Sequence, residues 1–163
     1  GILGGGHLAA ASALMLKKQG FDVSAQVLCY PFLDFAEMGG IMGDDNSSIM
    51  EEFFFPNGVN KSDPHISPAA ATEEQLKGMK NVVFVTCKAD PLHLQAERYR
   101  DKLLAAGVKV SCRMYEDALH GFLEVNHKEY PPQEAKSPEQ ERLAKEAEDY
   151  IAAELKQIWG SRR

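Results

Sequence analysis

Asp90 and His120 stand thirty residues apart, and each follows an apolar run that reads as a strand. The first run is NVVFVTCKAD, the second VKVSCRMYE, and PLHLQAERYRDKLLAAG between them has the length and closing glycine of a helix. Strand, helix and strand in this order make a right-handed crossover with parallel strands. Both strands then end at one edge of the sheet, so Asp90 and His120 emerge on the same side and can meet. An Asp that orients a His is the acid–base half of a nucleophilic triad, the His acting as general base.

A third element points to that edge. The chain opens GILGGGHLAAASALML, and from His7 to Gly20 the residues Leu8, Ala11, Leu14 and Met15 recur at helical spacing, with KKQG as a basic last turn and terminal glycine. DVSAQVLCYP then reads as a strand stopped by Pro31. A glycine-rich turn at a helix start brings backbone close to a phosphate, an oxyanion or a nucleophile on a tight corner. GILGGG lacks both the G-x-G-x-x-G spacing and the Lys-Ser/Thr of a phosphate loop, which leaves the last two.

The rest of the chain supplies support. The 163 residues, 44% hydrophobic, form one domain, with an irregular insertion or lid at about 35–68 in which Phe53, Phe54 and Phe55 are expected to pack onto the core. TEEQ at 72–75 fits a capping box. Ser137, Pro138 and Gln140 open a surface helix whose inner face carries Leu143, Ala147, Tyr150, Ile151, Leu155 and Ile158. A net charge of −6 disfavours nucleic acid and anionic membranes as partners. Cys29, Cys87 and Cys112 read as buried, reduced thiols, which suits the cytoplasm. His7, His65, His93 and His127 have no metal-like spacing with cysteines or carboxylates, so no metal is expected.

In this order the motifs resemble the α/β-hydrolase superfamily, in its hormone-sensitive-lipase-like esterase branch. GILGGGHLAA looks like that family's G-x-S-A-G-G elbow and helix, YPFLD like its strand end, DPHISP like a Pro-bounded segment, KADPL like its Asp loop and LHGF like its His loop. The resemblance implies an α/β fold with a mostly parallel sheet of a few strands flanked by helices. It covers nearly the whole chain as the C-terminal part of that domain, so the first strands of the fold are expected to be missing. It implies a serine attacking a small ester-like ligand, with Asp90 and His120 as triad acid and base and no cofactor. The elbow register, however, puts Leu3 at the serine position and leaves Gly4 to supply an oxyanion N–H. The family's HGGG oxyanion motif, which precedes the elbow, has no counterpart here. Ser47, Ser48, Ser67 and Cys87 are not placed to substitute for the serine. The expectation is an esterase-type site without hydrolysis, or a non-catalytic ligand- or protein-binding module derived from one. The strand around Val23 to Cys29 is expected to form an open sheet edge, covered in a homodimer or by a complementing chain.

Overall fold

The computed structural model describes residues 2–126 and 136–160, with side chains for 5–125 and 136–160. Three parallel strands in the order β1-β2-β3 form the sheet: β1 (Gln26–Cys29), β2 (Asn81–Cys87) and β3 (Lys109–Tyr115). Cys29 pairs with Val85 and Cys87 with Tyr115, so the strands run in register to a common carboxyl edge. β2 is central and almost wholly buried, as its unbroken apolar run requires.

Alternation along the strands sorts the core into two faces. Leu28, Val82 and Phe84 pack with Ala10 and Leu14 of α1 (Ile2–Lys18) and with Ala96, Tyr99 and Leu103 of the crossover helix, Leu92–Ala105. Val85, Cys87 and Tyr115 face the other way, toward Leu143, Ala144 and Ala147 of the C-terminal helix, Pro138–Gly160. The crossover and the amphipathic final helix stand as the sequence implies. So does the capping box, in which the Thr72 hydroxyl accepts from the Gln75 N–H.

Three local expectations change. The insertion is not irregular throughout: a 3-10 turn at Phe35–Glu37 leads into α2 (Met38–Met42) and α3 (Asp44–Phe54). Gly39, Gly40 and Gly43 break the apolar period there, while Asp44 and Asp45 favour a helix start. Phe53 and Phe54 do not pack inward; they are 78% and 54% exposed, whereas Phe55 is half-buried, edge-on to Phe35 at 5.0 Å. Cys112 is exposed, because β3 borders the sheet among the described residues.

The opening glycines also differ from expectation, since helix α1 already includes them from Ile2 on. Gly6 has a packing reason: a Cβ there would lie 2.7 Å from Pro31 Cβ and 2.9 Å from Pro31 Cα, whereas one at Gly5 would meet nothing within 4 Å. Gly6→Val is therefore expected to destabilise the protein by about 1–3 kcal/mol through overpacking. Gly5→Ala should instead stabilise it by about 0.5–1 kcal/mol through helix propensity. Urea midpoints at unchanged slope measure both, and a Gly6→Val midpoint equal to wild type would refute the close approach.

Candidate active site

At the carboxyl edge of β2 the chain turns at Asp90, whose N–H donates to Cys87 O at 3.2 Å. Only 6% of Asp90 is exposed. Its Oδ1 accepts from the Leu92 N–H at 3.0 Å, at the start of the crossover helix. Its Oδ2 bonds Nδ1 of His120. One carboxylate thus serves both the start of the crossover helix and the histidine.

His120 lies on a short loop beyond β3, and three contacts fix that loop. Gln140, buried in the first turn of the last helix, donates from Nε2 to Asp117 O at 2.7 Å and accepts from the Leu119 N–H at 2.9 Å. Cys87 Sγ reaches Leu119 O at 3.5 Å. Gly121 turns the chain at φ 85°, a conformation that favours glycine. From sequence Gln140 is marked only as part of a helix start, since nothing in the pattern signals an amide that reaches back to Asp117 and Leu119.

A carboxylate can only accept, so Nδ1 carries the proton in the Asp90–His120 bond. In the neutral ring Nε2 then holds the free lone pair of a base. This Nε2 is buried and has no hydrogen-bond partner among the described groups. The ring also stacks at 4.9 Å and 58° on Tyr30, the residue after β1.

The start of α1 reaches the same edge, since Gly6 abuts Pro31 and the Cys29 carbonyl. Positions 3 and 4 fall in the first helical turn, where backbone N–H groups lack intrahelical acceptors. The Leu3 side chain, Gly1 and His127 lie outside the described residues. The thiols at this edge are poor nucleophiles. Burial pushes Cys29 up to about 11 and Cys87 up to about 12, with Glu124 adding to the first shift and Asp90 to the second.

His7, read from sequence as a plain helix-start residue, ties α1 to the loop before α4 (Glu73–Leu76), its Nε2 lying 2.7 Å from Ile66 O. It also lines a cavity of about 280 Å³ walled by Phe32, Phe35, Met38, Met42 and Met50. Among the described residues no group of three or more His, Cys, Asp or Glu side chains gathers to hold a metal. No helix among them is long and apolar enough to cross a membrane.

Comparison with known proteins bears on the fold and the family. A family model described as the alpha/beta hydrolase fold matches residues 2–124. The chain is 29% identical over 133 residues to an arylesterase of Saccharolobus solfataricus, covering 76% of this chain and 43% of that protein. It is 37% identical over 60 residues to the hormone-sensitive lipase of Ictidomys tridecemlineatus, covering 37% of this chain and 8% of that protein. An esterase/lipase structure from an uncultured bacterium superposes with a TM-score of 0.76 at 19% identity, covering 98% of this chain and 52% of that one. The chain spans less than half the length of the curated relatives it matches. With a parallel sheet, its flanking helices and the family match over 2–124, the chain belongs to the α/β-hydrolase fold family.

Proposed function

We propose that this chain carries the acid–base half of a carboxylic-ester hydrolase site and binds a small ester without hydrolysing it. What supports the reading is the Asp90–His120 pair at the carboxyl edge of a parallel sheet, with Nε2 unpartnered among the described groups. In an ester hydrolase of this kind Nε2 takes the proton of a serine hydroxyl as its oxygen bonds to the ester carbonyl. The same nitrogen returns the proton to the departing alcohol while Asp90 holds the imidazolium. A backbone N–H such as that of Gly4 stabilises the oxyanion between the two steps. Leucine at position 3 supplies no such hydroxyl, so binding proceeds and bond exchange does not.

The ligand pocket in this reading is the cavity beside His7, with the 35–68 insertion as its outer wall. Its volume of about 280 Å³ is at the small end for ligand sites, and its walls are almost wholly apolar, which suits a short acyl or aryl group. Three methionines there adapt to irregular shapes. With methyl-labelled methionine, p-nitrophenyl butyrate is expected to shift the Met38, Met42 and Met50 signals in a saturable way and leave Met79 unmoved. Met42→Trp should weaken that binding at least tenfold. Signals indifferent to the ester up to its solubility limit would reject the pocket.

A further inference from the structure

Tyr30 is the one non-glycine residue with positive φ among the described residues, at φ 35°. Proline follows it, and a residue before proline is steered toward extended backbone. A bulky side chain with positive φ is costly and persists only where its surroundings hold it. The consequence is visible in the packing. Leu28 faces the α1 side of the sheet and Cys29 the opposite side, so alternation should return Tyr30 to the face of Leu28. Instead Tyr30 packs on the same side as Cys29.

The side chain brought there meets the histidine loop. Its ring lies 4.9 Å from that of His120 and 6.1 Å from that of Phe122, and its hydroxyl donates to Glu124 Oε2 at 2.6 Å. The backbone remains anchored, the Tyr30 N–H donating to Val85 O at 2.7 Å. Only 2% of the residue is exposed. Asp90 holds the imidazole through one edge nitrogen, which leaves the ring free to pivot about that bond. A second support against the ring face removes the pivot.

We infer that Tyr30, tethered by Glu124, is a positioning residue that fixes the His120 imidazole on Asp90. The inference rests on the proposed role of that pair, but its test needs no ester. The readout is the proton shared by His120 Nδ1 and Asp90 Oδ2, observed by NMR as a downfield resonance that Asp90→Asn removes, and its exchange rate with water. Tyr30→Phe keeps the ring and loses the tether, and Glu124→Ala removes the acceptor. Each is expected to speed exchange about fivefold, the weight of one net hydrogen bond. Because the two residues act as one unit, the double variant should exchange no faster than either single one. A purely structural role would lower the urea midpoint and leave this exchange unchanged, and that result overturns the inference. So does additivity in the double variant, or a wild-type spectrum without the resonance. Ester binding or serine labelling that fails while the exchange pattern holds rejects the esterase reading and leaves the positioning role standing.

Discussion

Incubated with p-nitrophenyl acetate, the chain is expected to release p-nitrophenolate no faster than its His120→Ala variant. Leucine at position 3 has no hydroxyl for Nε2 to deprotonate. In a triad hydrolase, loss of the nucleophile alone lowers kcat by about 10⁶. Among the described residues the thiols near the pair do not compensate, because burial holds Cys29 and Cys87 protonated, at about 11 and about 12. Slow release that survives His120→Ala is surface reaction with an activated ester. Turnover that disappears on that substitution would show a nucleophile working through His120 and would end the proposal of an unreactive site.

The meeting of Asp90 and His120 was legible in the sequence because a crossover obeys few rules. A strand, a helix and a parallel strand have one handedness, and both strands discharge at one edge, so Asp90 and His120 could be placed together from spacing alone. What holds them was less legible. Gln140 clamps the His loop through backbone groups of Asp117 and Leu119, and backbone acceptors leave no trace in side-chain pattern. Tyr30 was hidden for a different reason. Strand alternation puts it on the wrong face, and only its positive φ reverses the assignment. The two short helices within 38–54 leave little trace in the sequence, because glycines at 39, 40 and 43 erase the apolar period that marks a helix. Phe53 and Phe54 show the limit of arguing from residue type, since an aromatic side chain is usually buried and these two are not.

Restoring the hydroxyl tests the site from the other direction. Leu3→Ser is expected to gain covalent labelling by a fluorophosphonate, with the serine oxygen bonding phosphorus as fluoride leaves and Nε2 of His120 receiving the hydroxyl proton. Labelling needs the base and its orienting acid, so His120→Ala and Asp90→Asn in the Leu3→Ser background should each abolish it. Removal of a triad base costs about as much as removal of the whole triad. Turnover of p-nitrophenyl acetate should remain slight by comparison. Among the described residues the elbow register assigns one oxyanion donor, the Gly4 N–H, and a site short of a single donor loses about 10² to 10³ in kcat. Labelling without appreciable turnover is thus the expected signature. Labelling indifferent to His120 would remove the histidine from the chemistry, and full esterase rates in Leu3→Ser would show a second oxyanion donor at the edge where α1 meets Pro31. The position of the new serine follows from the helix, because α1 begins at Ile2 and Gly6 seats its first turn against Pro31. A Gly6→Val, Leu3→Ser protein that stays folded should therefore lose labelling as its first turn is pushed from the strand end, even with Asp90 and His120 intact.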